Sequence, residues 1–174
     1  MMNGQTMILS AVTLTAAVTD ATRGKVYNWL TYPAAVAGLI LSVVAAPPTP
    51  IESVVGLALG LLLFGALRRI GKMGAGDVKL MAAVGALKGP VFLVFASFYV
   101  IVAAGLAAIV VLAMKRRLVP TLRWAATLMV SAFVPGVGSR QLGVEQTEMP
   151  FAPAIFLGVA YAAALEMAYG QFSF

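Results

Sequence analysis

The chain has 174 residues, of which 61% are hydrophobic and only 10% are charged, and its mean hydropathy is +0.98. A soluble domain is nearer a quarter charged, so this composition excludes an ordinary soluble protein and predicts helices packed in lipid. The net charge of +6 does not indicate nucleic-acid binding, because the basic residues cluster between apolar runs, as in positive-inside loops. The sequence has no Cys and no His, so we expect no disulfide, no metal and no cofactor.

Six apolar runs follow one another along the chain, and nothing in the sequence is typical of a strand. The second run stops at a proline-rich connection through which a helix does not continue. The sequence therefore predicts an all-α, polytopic membrane protein with about six transmembrane helices, organised as one domain over residues 1–174. The runs cover residues 6–19, 30–46, 51–67, 77–87, 91–114 and 150–169.

Basic residues mark three of the connections between these runs, after the first, third and fifth runs. The positive-inside rule places all three clusters in the cytoplasm and both termini outside. The fourth run, residues 77–87, reaches only about 16 Å as a helix, against a hydrocarbon core of about 30 Å. Either the loop before it enters the membrane, or the bilayer is thinner there. The alternative is that this run lies in the interface and that the number of spans is wrong.

Residues 118–149 have the least regular pattern. Apolar residues from Leu118 to Phe133 share one helical face, and Arg123 lies on another, after a basic cluster at residues 115–117. This pattern predicts an amphipathic helix on the cytoplasmic membrane surface. A seventh hydrophobic segment that dips partly into the membrane is the alternative.

Two aspartates lie at the same predicted membrane face. Asp20 ends the first run, and Asp77 begins the fourth after a glycine-rich turn. A carboxylate near hydrocarbon is costly, so its presence is a hypothesis about function. Two adjacent carboxylates share a proton, so one acts as a base toward water and the other as an acid toward a scissile carbonyl. The simpler interpretation of Asp77 is a helix N-cap.

The neighbouring residues suggest further roles. Gly74 and Gly76 would give a substrate backbone room beside the acid. Arg23 would pair with the first aspartate if its helix continues, and otherwise lies in a solvated loop. Lys79 is predicted to reach lipid phosphates rather than the second aspartate. Asn28 is a candidate turn or cap residue.

Three elements resemble those of the type IV prepilin peptidases, the bacterial GxGD aspartic proteases. Gly74-Ala-Gly-Asp-Val-Lys-Leu80 resembles the GxGD-V-K-L motif. Asp20 with Arg23, followed by Val26-Tyr-Asn-Trp-Leu30, resembles the first aspartate and an Ile-Pro-Asn-x-Leu element. Met149-Pro-Phe-Ala-Pro153 and the later Gly158 resemble an Ile-Pro-Phe-Gly-Pro element. Tyr27 in place of proline and Ala152 in place of glycine are departures from the family pattern.

The resemblance implies an aspartic endopeptidase that removes a short basic leader from prepilins, cutting after a glycine at the cytoplasmic face of the bacterial inner membrane. Its implied partners are prepilins with a basic leader and an apolar helix, membrane lipids and the pilus-assembly machinery. No cysteine-bearing methyltransferase part is expected, so the chain resembles the short, peptidase-only form that serves tight-adherence (Flp) pili. The implied catalytic pair is Asp20 and Asp77, and the implied substrate-site residues are Gly74, Gly76, Arg23, Asn28, Lys79, Pro150 and Pro153.

Two functions of other classes stay open from the residues alone. A small proton-coupled transporter or channel would use the two aspartates to carry protons or cations, although no internal repeat is visible. A structural subunit of a pilus or secretion machine would use them as hydrogen-bond partners between helices.

Overall fold

The computed structural model of the chain describes residues 4–44, 48–70, 73–114 and 151–170, and all regular structure in these ranges is α-helical. The all-α prediction is therefore confirmed for these ranges. The predicted amphipathic segment, residues 118–149, and Pro150 lie outside them. The helices are α1 (Gly4–Arg23), α2 (Asn28–Val44), α3 (Pro50–Ile70), α4 (Ala75–Met114) and α5 (Ala152–Tyr169).

The chain divides into two compact units. Residues 1–104 and 150–174 form the first, and residues 105–149 form the second. The described part of the second unit is residues 105–114, the C-terminal turns of α4. Within the first unit, α1 packs against α5 and α2, and α2 packs against α3.

The long helix α4 is interrupted at Gly89. The φ of 82° and ψ of 176° at this residue are not helical, and this region of backbone space is open essentially to glycine alone. Pro90 follows and has no N–H to continue a helical ladder. The fourth and fifth apolar runs are therefore separate helical segments, as the sequence predicts.

Contacts with α5 show that the chain reverses direction at this break. The carboxylate of Asp20 accepts a hydrogen bond from Ala152 at the start of α5, and Asp77 lies close enough to Asp20 for their charges to interact. Lys88, at the other end of this segment, forms an ion pair with Glu166 near the end of α5. The first half of α4 therefore runs in the same direction as α5.

The second half of α4 runs back along α5. The rings of Tyr99 and Tyr161 meet edge to face with their centroids 4.8 Å apart. Gly158 lies so close to the other helix that a Cβ there would be 2.5 Å from the amide nitrogen of Val100. The ion pair at the break lies further towards the C-terminus of α5 than this contact, so residue numbers rise along one helix as they fall along the other and the two are antiparallel.

Small residues bring α3 against the first half of α4. A Cβ on Gly56 would overlap the backbone of Gly85, and a Cβ on Gly60 would lie 2.7 Å from the Cα of Ala82. Such GxxxG spacing lets helix backbones approach closely where lipid supplies no hydrophobic drive. The hydroxyl of Ser53 adds a 2.7 Å hydrogen bond to the Ala86 carbonyl.

A capping box begins α3. The backbone N–H of Thr49 donates to the Glu52 carboxylate at 2.7 Å, and the backbone N–H of Glu52 donates to the Thr49 hydroxyl at 3.3 Å. Pro50 occupies the first helical position, where its missing N–H costs nothing. The end of the proline-rich connection therefore starts α3.

Length and composition support a membrane protein but not the six spans predicted above. Within the described ranges, the segments long and apolar enough to cross are Pro50–Arg69, Ala75–Val111 and Ala152–Tyr169, and the apolar helix Asn28–Val44 is shorter. The segment Ala75–Val111 counts once by length, although it reverses at Gly89. Large apolar side chains stand exposed on the outer faces of these helices, including those of Ile40, Val44 and Leu62, as lipid contact requires.

Candidate active site

Asp20 lies in the last turn of α1 and is only 8% exposed. Its Oδ2 accepts a 2.9 Å hydrogen bond from the backbone N–H of Ala152, the first residue of α5. The backbone leaves α1 immediately afterwards, at Gly24, whose φ of 64° is left-handed. The segment 24–27 that follows this turn lines the same cavity as Asp20.

Asp77 lies in the first turn of α4 and is 6% exposed. The helix begins at Ala75, so Asp77 is its third residue and not the N-cap that the simpler interpretation predicts. Its carboxylate accepts a backbone hydrogen bond from Gly74, as the third residue of a capping box does. The other oxygen, Oδ1, is buried and has no hydrogen-bond partner among the described residues.

The two aspartates line one cavity of about 310 Å³. Their charges interact across it, so the structure brings together the two residues that the predicted topology places at one face. The remaining lining comes from two connections, residues 24–28 and 74–76. Two carboxyl groups in one cavity can share a proton, so one can take a proton from water while the other gives one to a carbonyl oxygen.

A comparison with protein-family models identifies the chain. The model of the type IV leader peptidase family matches residues 7–112. The chain belongs to the type IV leader peptidase family. The match covers more than half of the sequence and includes both aspartates, whereas α5 lies beyond it. Neither the curated proteins nor the solved structures that were searched contain a match.

The two glycines of this leader peptidase motif have neighbours within the chain itself. A Cβ on Gly76 would lie 2.7 Å from the Cβ of Val26 and 2.9 Å from its carbonyl oxygen. A Cβ on Gly74 would lie 3.0 Å from Oδ2 of Asp77. The absent side chains thus let the motif pack against the 24–27 segment and let the second aspartate fold back. Room for a substrate backbone, the role expected from the sequence, stays a prediction.

The three predicted polar neighbours form hydrogen bonds to groups other than the two carboxylates. Lys79 donates a 2.9 Å hydrogen bond to Oδ1 of Asn28 and lies 4.9 Å from the centre of the Tyr32 ring. Arg23, the last residue of α1, is exposed and donates a 3.4 Å hydrogen bond to the Tyr27 hydroxyl. Its side chain therefore bonds to Tyr27 rather than to the Asp20 carboxylate one turn earlier in the helix. Asn28 lines the cavity. Whether these residues bind substrate stays a prediction.

The start of α5 lies beside the site. Pro153 is the second residue of the helix, whereas Pro150 lies outside the described residues. Ala152 donates its backbone N–H to the Asp20 carboxylate, a contact that the sequence does not reveal because no side chain takes part. Lys25, Val26 and Tyr27 also line the cavity without having been predicted as site residues. Their position in a short connection directly after Asp20 is the signal that points to them.

Two other acids of the described ranges have partners away from the cavity. Glu166 is paired with Lys88 at 2.7 Å, with both side chains largely buried, and Glu52 caps α3. Both lie at the opposite end of the helices from the cavity. Across the ranges that the structure describes, no group of three or more metal-ligating side chains comes together.

Proposed function

We propose that this leader peptidase is an aspartic endopeptidase that removes the basic leader from type IV prepilins of the Flp class. Asp20 and Asp77 form the catalytic pair. The observation that carries the proposal is that the only two aspartates in the sequence are both buried and line the same cavity. Burying two carboxylates together is costly for stability, so a functional reason is needed, and peptide hydrolysis supplies one.

The proposed reaction is a water-mediated hydrolysis. The ionised carboxylate takes a proton from water, whose oxygen bonds to the scissile carbonyl carbon, while the protonated carboxyl gives its proton to the carbonyl oxygen. In the second half, the first carboxyl protonates the leaving nitrogen, and the second takes back a proton from the tetrahedral carbon's hydroxyl. The C–N bond breaks, and the pair returns to its starting state with one proton.

The proposed topology has six crossings in the bacterial inner membrane, with the cavity at the cytoplasmic face. The reversal at Gly89 supports it by dividing α4 into two segments of opposite direction. Arg68 and Arg69 in the last turn of α3 lie at the cavity end, and Lys88 pairs with Glu166 at the other end. A basic cluster at the cavity end agrees with the positive-inside rule.

The decisive experiment is cleavage of a co-expressed Flp-type prepilin by the wild type, by Asp20→Asn and by Asp77→Asn. Asn keeps the size of the side chain but cannot shuttle a proton, so each variant should lose at least about 10²-fold in rate while remaining inserted. Glu52→Gln is the control, because it makes the same carboxylate-to-amide change on an exposed helix cap. A single variant that retains more than a few per cent of the wild-type rate contradicts the pair.

Two further measurements define the reaction. A chelator such as EDTA should leave the rate unchanged, and a loss that only a divalent ion restores would indicate metal-assisted hydrolysis instead.

Replacing the leader glycine before the cut by a bulky residue should slow cleavage strongly, because a side chain there would meet the walls of the cavity. Cleavage of that prepilin at the normal rate would contradict the predicted cut site.

A further inference from the structure

The first turn of α5 completes the candidate active site from outside the part of the chain that matches the family. Ala152 is buried, and its N–H bonds to Oδ2 of Asp20 at 2.9 Å. The first four N–H groups of a helix have no partner inside it. Phe151, at the N-cap, gives no side-chain hydrogen bond, and Pro153 has no N–H. Asp20 therefore supplies the partner that the start of α5 lacks.

The two aspartates differ in what surrounds them. Asp20 receives a hydrogen bond from the N-terminus of an 18-residue helix, where the partial positive charge favours an ionised carboxylate. Asp77 has a buried oxygen with no partner among the described residues. An ionised oxygen left so would lose its hydration without compensation, whereas a protonated one carries an O–H to offer across the cavity.

The charged groups that face Asp20 do not remove this asymmetry. Arg23, one turn further along α1, bonds to Tyr27. Lys25 and Asp77 line the same cavity. The helix α2 contains no acidic or basic residue, and the first turn of α5 contains none. Among the hydrogen bonds of the described residues, the one from Ala152 reaches the Asp20 carboxylate and favours a negative charge there.

We propose that the Ala152 N–H is a positioning group that holds Asp20 ionised as the base, and that Asp77 carries the shared proton as the acid. This assignment rests on the proposed peptidase function and adds the roles within the pair. Water then gives its proton to Asp20, and the carbonyl oxygen of the scissile bond receives the proton of Asp77. The helix that follows the family match thereby sets the direction of proton transfer.

The test replaces one amide by an ester. Lactic acid in place of Ala152, introduced by cell-free synthesis into lipid nanodiscs, removes the N–H and keeps the side chain. The matched control is lactic acid in place of Ala154, which removes the 3.1 Å bond to the Phe151 carbonyl in the same turn and does not touch Asp20. If Ala152 serves the base, the first ester should move the acidic limb of the cleavage–pH profile upward by about one unit. The control should keep the wild-type profile.

A purely structural cap predicts a different outcome. Loss of a cap would lower the melting temperature in both esters and would leave the pH profile of each unchanged. Equal profiles for the two esters, or a shift of the acidic limb downward, would overturn the assignment.

A second measurement needs no variant of the protein. Because the chain has only two aspartates, ¹³C placed on the aspartate side-chain carboxyl reports on this pair alone. With ¹⁵N placed at Ala152 of the otherwise native protein, dipolar coupling should connect Ala152 to a single carboxyl carbon. That carbon should carry the chemical shift of an ionised carboxylate at the pH of maximal activity. Coupling to a protonated carboxyl, or to neither carbon, would overturn the assignment.

The two proposals fail in different ways. A wild-type protein that cuts no prepilin overturns the peptidase function, whatever the spectra show. Cleavage that is normal in the wild type and lost in both Asp→Asn variants, with Ala152 coupled to the protonated carboxyl, overturns only the assignment of roles.

Discussion

At the scale of single residues, the absence of a side chain at Gly76 shapes the site as much as the two aspartates do. Gly76 has no side chain, so the start of α4 can press against Val26 and close one wall of the cavity. Asp77 then folds back to bond to Gly74 in the same turn. The second aspartate is thus held by local backbone, whereas the first is held by a helix distant in sequence.

Substitution of Gly76 by Ala tests this wall. The new methyl group would lie 2.7 Å from the Cβ of Val26 and 2.9 Å from its carbonyl oxygen, so the 24–27 segment and α4 must move apart. We expect prepilin cleavage to fall by at least about tenfold, because small displacements of catalytic groups are costly. Gly65→Ala is the control, since a Cβ there meets nothing within 4 Å. Equal rates for the two variants would show that the wall is not needed for cleavage.

The sequence predicts the two aspartates better than it predicts their surroundings. A carboxylate beside an apolar run is costly, so the positions of Asp20 and Asp77 next to such runs already mark them as candidates. The sequence does not reveal the role of the Ala152 N–H, because every residue except proline has a backbone N–H. The packing of Gly76 on Val26 is likewise a tertiary contact, and a glycine-rich turn alone does not specify its partner.

At the scale of helices, the apolar runs of the sequence predict which helices exist and approximately where each begins and ends. The break between the fourth and fifth runs is readable at Gly89 and Pro90, and α4 is indeed interrupted there. The capping box of Thr49 and Glu52 is also readable in the sequence, although it was not predicted. The pairing of α3 with the first half of α4 is not readable, because GxxxG spacing indicates a close approach without naming the other helix.

Substitution of Gly56 by Val tests that pairing. The side chain would overlap the backbone of Gly85, so α3 and the first half of α4 would have to separate along the faces that now touch. We expect a large loss of thermal stability, of the order of several kcal/mol, as for overpacking of a closely packed interface. The measurement is thermal unfolding in detergent, with Gly65→Val on the same helix as the control. Similar melting temperatures for the two variants would contradict this interface.

At the scale of the whole molecule, the helices of the first unit place two groups of charged residues at opposite ends. The aspartate cavity and the basic last turns of α1 and α3 share one end. Glu52 and the buried pair of Lys88 and Glu166 share the other. The first half of α4, residues 75–88, is about 21 Å long, against a hydrocarbon core of about 30 Å. A helix of this length spans only part of the core, so we expect water to reach Asp77 from one side.

Cysteine labelling tests which side that is. The sequence has no cysteine, so a single introduced thiol reports one position. A thiol at Ala75, which is exposed and lines the cavity, should react with a membrane-impermeant reagent only from the cytoplasmic side. A thiol at Ile51, 76% exposed at the start of α3, should react only from the other side. A thiol at Leu62, 73% exposed in the middle of α3, should face lipid and react from neither side. Labelling of the Ala75 position from outside would reverse the proposed topology, and reaction of all three positions from one side would contradict α3 as a crossing helix.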